Sequence, residues 1–198
     1  MALLAAAEVA IERGERRLLH GVNLSVDSGQ VWQVLGANGV GKSSLLRALA
    51  GLARLGVEGS ISRFEPLLYL AHAPAIKGAL SPFENLRCHP ACDIISTRAQ
   101  IELALQAVQL RGFEDQPVGS LSAGQQRRVA LARLLLSDAR LWLLDEPFTA
   151  LDRSGCEWLE ECIRRHVGAG GAVIFTSHQP SRFGELQQDL DLAHYAVS

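Results

Sequence analysis

Gly36-Ala37-Asn38-Gly39-Val40-Gly41-Lys42-Ser43 is the stretch on which the reading of this chain turns. It has the pattern glycine, any four residues, glycine, lysine, serine. It lies where a phosphate-binding loop must lie, after the short apolar run Val31-Trp32-Gln33-Val34-Leu35 and before the helix-forming stretch Ser44-Leu45-Leu46-Arg47-Ala48-Leu49. Glycines let successive backbone N–H groups close around an anion, and the following helix N-terminus favours negative charge. Lys42 can reach the terminal phosphates of a nucleotide, and Ser43 can ligate a divalent cation.

Working outward, two further short apolar runs stand at Leu141-Trp142-Leu143-Leu144 and Val173-Ile174-Phe175-Thr176. Brief runs that are apolar on both faces are expected to be central strands of a parallel sheet covered by helices. The stretch before Leu141 reads as helical. Ser81-Pro82-Phe83-Glu84 and Thr97-Arg98-Ala99-Gln100 each place a hydroxyl three residues ahead of Glu or Gln, the pattern of a capping box. Proline at the second position of the first box suits a helix start. Ile101, Leu105 and Val108 then recur at helical spacing. A helical insert of about residues 73 to 137 is therefore expected inside an α/β core. Leu3 to Val26, alternating around Arg13-Gly14, is expected to form an antiparallel β layer. The expectation is one domain over residues 1–198.

Two acids follow the second strand run. Asp145 is placed to hold Mg²⁺, and the adjacent Glu146 to orient and deprotonate an attacking water. Between the loop and these acids lies Leu121-Ser122-Ala123-Gly124-Gln125, opening the helix Gln126 to Arg133. Ser122 and Gln125 make a third capping box, and Gly124 permits close backbone approach at a helix N-terminus that suits an anion.

This pentapeptide resembles the signature motif of the ABC ATPases, and it stands in ABC order along the chain. The resemblance implies the ABC ATPase fold of P-loop NTPases: a mostly parallel core sheet, an N-terminal antiparallel β layer and a helical subdomain insert. It implies ATP and Mg²⁺ as ligands, with Gly36, Ala37, Asn38, Gly39, Val40, Gly41, Lys42, Ser43 and Ser44 at the nucleotide, and Ser43 and Asp145 at the metal. Ala150-Leu151-Asp152 is similar to the D-loop, with Asp152 at the nucleotide interface, and His178 to the switch histidine that acts with Glu146. Ser122, Gly124 and Gln125 would face the nucleotide of a second copy, so that hydrolysis needs a head-to-tail homodimer.

Less generic stretches narrow the resemblance: His72-Ala73-Pro74-Ala75-Ile76-Lys77, Phe113-Glu114-Asp115-Gln116-Pro117-Val118, Asp145-Glu146-Pro147-Phe148-Thr149-Ala150 and Ser177-His178-Gln179-Pro180. They are similar to the ATP-binding subunits of cytochrome c maturation transporters, also called haem exporter ATP-binding subunits. The chain's brevity beyond His178 is similar to the same group. That implies a peripheral protein on the cytoplasmic face of the bacterial inner membrane, held there through integral permease subunits of the cytochrome c maturation complex. The resemblance also implies that the region of about residues 71 to 90 docks a membrane subunit. Two departures stand out. His72-Ala73 occupy the place of the Q-loop glutamine, so no Q-loop role carries over, and the adenine-stacking aromatic is replaced. Arg13 can stack its planar guanidinium on the base or stand as a solvated arginine, and both readings remain open.

The 198 residues carry 48% hydrophobic and 20% charged residues and a formal charge of −2, which gives no electrostatic ground for a nucleic-acid or anionic-lipid partner. No run of about 20 apolar residues is present, and the opening MALLAAAEVA lacks a basic n-region, so membrane association is expected through partners alone. Cys88-His89-Pro90-Ala91-Cys92 groups two thiols around an imidazole, but these and Cys156 and Cys162 lack CxxC spacing and read as free thiols. Rival readings are an exporter ATPase of the drug or lipoprotein type, a soluble non-transport ABC ATPase and a degenerate regulatory module. One P-loop, with no second cassette and no sustained heptads, argues against the non-transport class.

Overall fold

The computed structural model describes residues 1–14, 16–53, 55–89, 96–177 and 182–197. Along the chain run β1 (Ala2–Arg13), β2 (Arg16–Asp27), β3 (Val31–Leu35), α1 (Lys42–Leu49), β4 (Val57–Arg63), β5 (Leu67–Leu70), α2 (Pro82–Arg87), α3 (Arg98–Ala107), α4 (Ala123–Leu131), β6 (Leu141–Leu144), α5 (Arg153–Gly168), β7 (Ala172–Thr176) and β8 (Gln187–Asp191). They divide between two compact units. One comprises Met1–Tyr69, Ala139–Pro147 and Cys162–Ser198, and the other Leu70–Asp138 and Phe148–Glu161.

In the first unit β1 pairs antiparallel with β2 and with β4, giving the order β2-β1-β4. The expected N-terminal β layer is thus present, with Val9 opposite Val22 and Ile11 opposite Leu19. A bulge interrupts β1 between Ala6 and Val9, where Glu8 has φ 52°. Asn23 holds that bulge from the neighbouring strand, accepting from the Glu8 N–H at 3.0 Å and donating to its carboxylate at 2.6 Å.

The second sheet of this unit has the order β5-β6-β7-β3-β8, and β6–β7, β7–β3 and β3–β8 all pair parallel. Every residue of β6 and β7 is buried, which is why both read as unbroken apolar runs. Leu45, Leu46 and Leu49 of α1 are fully buried in a core shared with Leu3, Leu4 and Val22 of the antiparallel layer and Leu143 and Ile174 of the parallel sheet. Burial of each such leucine stabilises the fold by about 1.5–3 kcal/mol. Because the parallel strands all run one way, β3, β6 and β7 end on the same edge of the sheet, where ligands of open α/β sheets bind. Gly36, Asp145 and Ser177 are the residues that follow those three ends.

The second unit is helical. Ile101, Leu105 and Val108, the residues at helical spacing, are at most 1% exposed and pack with Phe83, Leu86, Leu121 and Val129. All three capping boxes form. Ser81 accepts from the Glu84 N–H and Thr97 from the Gln100 N–H, and in each case the later side chain accepts from the cap residue's own N–H. The third opens α4, which tightens into a 3-10 turn at Ala132–Leu135. No helix among the described residues is long and apolar enough to cross a membrane.

Candidate nucleotide-binding site

The loop 36–41 joins β3 to α1, as its sequence requires. Gly36 has φ 141°, and a Cβ there would meet Val40 Cγ1 at 2.8 Å. Gly41, at φ 121°, caps α1 with no side-chain bond to its first turn. Both conformations strongly favour glycine, so the loop is held in a bend that any other residue would strain. Ala37, Asn38 and Gly39 are exposed. Lys42 is only 8% exposed and folds back over the loop, its Nζ donating to the carbonyls of Gly36 at 2.7 Å and Ala37 at 3.2 Å. An ammonium fixed beside the N-terminus of α1 makes this a ready anion site. Ser43 and Ser44 follow in the first turn, both part-buried.

Asp145, 1% exposed, directly follows the buried strand β6. Glu146 beside it has φ 49°, a left-handed conformation that costs a non-glycine residue about 1–3 kcal/mol and is kept only where neighbours hold it. Thr176, at the end of β7 and 0% exposed, does so. Its hydroxyl accepts from the Glu146 N–H and donates to Asp145 Oδ1, both at 2.8 Å. The following residue is fixed too, since buried Gln33 donates to the Ser177 carbonyl at 3.4 Å and accepts from Gln187 at 2.7 Å. His178 lies outside the described residues.

The donor set fits Mg²⁺. The hydroxyl of Ser43 and the carboxylate of Asp145 are hard oxygen ligands, with no thiolate or imidazole among them. No group of three or more His, Cys, Asp or Glu suited to a metal occurs among the described residues, so such an ion would complete its shell with phosphate and water.

The second unit carries the remaining predicted residues. Ser122 caps α4, its hydroxyl accepting from the Gln125 N–H at 3.2 Å while the Gln125 side chain accepts from the Ser122 N–H at 2.9 Å. Gly124 lies close to the backbone of the same unit: a Cβ there would be 3.0 Å from the Ala150 carbonyl. Asp152 accepts from the Gly155 N–H at 2.8 Å, from Ser154 at 3.1 Å and from Arg128 at 2.6 Å. The Gly155 N–H first, then Ser154 and Arg128, hold its carboxyl below the usual range. Arg128 donates also to the Val108 carbonyl and to Gln109, tying α4 to Asp152 and to the end of α3. Sequence reasoning missed Arg128 and Thr176. The signal for the latter was a hydroxyl closing an otherwise apolar strand.

The backbone of residues 71–75 is clamped. Arg127 donates to the carbonyls of Ala71 and His72, both at 3.0 Å, and Arg133 to those of Pro74 and Ala75, both at 2.9 Å. Both arginines are nearly inaccessible. His89 lies near Arg133; burial first, then that guanidinium, push its pKa down to about 4. Cys88 is an exposed thiol, Cys162 a buried one, and Cys92 lies outside the described residues.

The ABC transporter family model matches residues 19–149. The chain is 48% identical over 190 residues to the cytochrome c biogenesis ATP-binding export protein CcmA of Tatumella citrea, covering 89% of each. The CcmA of Pseudomonas fluorescens is 46% identical over 208 residues, covering 98% of each. The chain belongs to the CcmA family of ABC transporter ATPases. A CcmA-family chain is an ATP-hydrolysing transporter subunit, and the match at Escherichia coli K12 CcmA, 43% identical over 196 residues, covers 93% of each. The CcmA-family fold is shared with an ABC transporter ATP-binding protein of Pyrococcus furiosus, at a TM-score of 0.82 over 98% of this chain and 99% of that one with 22% identity.

Proposed function

We propose that the chain powers an ABC transporter complex of cytochrome c biogenesis, coupling ATP hydrolysis to haem export or to release of a haem-loaded chaperone. What carries this reading is the P-loop with Lys42 over its carbonyls, and Asp145 and Glu146 at the same sheet edge, in a chain of CcmA relatives. The loop N–H groups and Lys42 bind the β- and γ-phosphates. Mg²⁺, held by Ser43 and Asp145, would neutralise charge developing on the phosphates. Glu146 takes a proton from water as the water oxygen attacks the γ-phosphorus and the bond to ADP breaks, giving ADP and phosphate. His178 completes the set in this reading.

The opposite face of the nucleotide is supplied by a second copy. The first N–H groups of α4, those of Ala123 and Gly124, have no acceptor within the helix, and with Ser122 and Gln125 they suit a γ-phosphate. Asp152 shapes the D-loop at that interface. In this reading residues 1–198 are one nucleotide-binding domain, whose helical insert of about residues 73–137 meets the permease subunits, placing the protein on the cytoplasmic face of the inner membrane. Arg127 and Arg133 make the segment 71–75 follow the signature helix, a mechanical link where a glutamine is missing.

Co-expression with the permease subunits of the cytochrome c maturation complex tests this. The chain is expected to copurify with them and to hydrolyse ATP faster in the complex than alone. Failure to copurify with any membrane protein contradicts the reading.

A further inference from the structure

Thr176 is a small hydroxyl residue placed among buried apolar neighbours at the end of β7, whose other members, Ala172, Val173, Ile174 and Phe175, are all apolar. Nothing in strand packing calls for a hydroxyl there; a valine has the same shape. The hydroxyl is nevertheless engaged on both sides, and the direction of each bond is fixed. A backbone N–H can only donate, so the 2.8 Å contact with Glu146 uses a lone pair of Oγ1. The hydroxyl proton is thereby free to point at Asp145 Oδ1, also 2.8 Å away, and an ionised carboxylate can only accept it. One side chain thus bonds both the Asp145 carboxylate and the backbone of Glu146, which has φ 49°.

We infer that Thr176 is a positioning residue for hydrolysis: it orients Asp145 toward the metal and holds Glu146 in the backbone conformation from which its carboxylate meets the attacking water. The inference rests on the roles proposed above for Asp145 and Glu146. Thr176 acts through these two acids. Its effect is to keep two adjacent acids, which have different tasks, in one fixed relation to each other. Hydrogen-bonding partners of metal ligands commonly matter in this way, their loss costing about 10–100-fold in metal affinity or activity.

The test compares Thr176→Val, which keeps the shape and removes both bonds, with Thr176→Ser, which keeps the hydroxyl and removes a methyl. Both are made in the chain assembled with its membrane subunits. In Thr176→Val, kcat for ATP is expected to fall about 10–100-fold with KM changed less than about threefold. Binding of Mn²⁺, followed by its electron paramagnetic resonance signal in the presence of a non-hydrolysable ATP analogue, is expected to weaken by about tenfold. Nucleotide binding without metal is expected to stay unchanged. Thr176→Ser is expected to restore both turnover and Mn²⁺ affinity. A fall in Thr176→Ser equal to that in Thr176→Val assigns the effect to packing and overturns the inference. Wild-type turnover in Thr176→Val beside an inactive Glu146→Gln overturns the role of Thr176 alone, whereas wild-type turnover in Glu146→Gln overturns the reading on which it rests.

Discussion

Glu146→Gln, in the chain assembled with its membrane subunits, is expected to lower ATP turnover by about 10²–10⁴-fold, the range a general base contributes. The amide keeps the size and the hydrogen-bonding reach of the carboxylate but cannot take a proton from water. The residues proposed to bind nucleotide do not change, since Lys42 and the glycine loop belong to another segment of the sheet edge. The backbone at 146 also stays as it is, because Thr176 holds the N–H and not the side chain. Turnover measured as phosphate release should therefore collapse while titration with a fluorescent ATP analogue gives an affinity near that of the unaltered chain. Retention of full activity would remove Glu146 from the mechanism.

Lys42→Ala should fail at an earlier step. The ammonium lies within 2.7 and 3.2 Å of the Gly36 and Ala37 carbonyls, so the loop carries its positive charge before any phosphate arrives. Alanine leaves those carbonyls without a counter-charge where the proposed mechanism brings in the β- and γ-phosphates. A charge-assisted hydrogen bond is worth about 1.5–3 kcal/mol, so ATP affinity is expected to drop by about ten- to a hundredfold. The charge that builds on the phosphates during hydrolysis loses more, and turnover at saturating ATP is expected to fall by a further factor of about 10²–10³. Equilibrium binding with and without Mg²⁺, beside steady-state hydrolysis, separates the two losses. The two variants differ in kind: Glu146→Gln binds ATP and does not turn it over, whereas Lys42→Ala does both poorly.

The central strands were readable because burial on both faces leaves little room for polar residues, and Val31, Leu141 and Val173 each open a mostly apolar run. Capping chemistry is equally local. Ser81, Thr97 and Ser122 each bond a residue three places on, so a helix start can be seen without knowing what the helix packs against. Strands β4 and β8 had no such signal. Val57–Arg63 is exposed along most of its length, and Gln187–Asp191 keeps only Leu190 buried, so as sheet edges both carry polar sequences that resemble loops.

The site divided along the same line. The P-loop is legible because backbone geometry demands glycine at particular positions, and Gly36 with φ 141° shows the demand. Residues that act through contacts distant in sequence were not legible. Thr176 meets Glu146 thirty residues away, and Arg133 meets Pro74 across fifty-nine. Only folding creates those pairs. Gly124 belongs between these cases: the sequence called for close backbone approach, and the approach is to the Ala150 carbonyl within the same chain.

The claim that one chain holds a P-loop half-site and a separate signature half-site, completed only by a second copy, is most directly tested by the mass of the Glu146→Gln chain in solution. Light scattering without nucleotide should give 21.4 kDa, the mass of one chain. With saturating ATP the mass should double, and Ser122→Arg, which places bulk and positive charge at the cap of α4, should prevent the doubling while ATP still binds. A chain that binds ATP and remains at 21.4 kDa, or a doubling that Ser122→Arg leaves intact, would contradict the account.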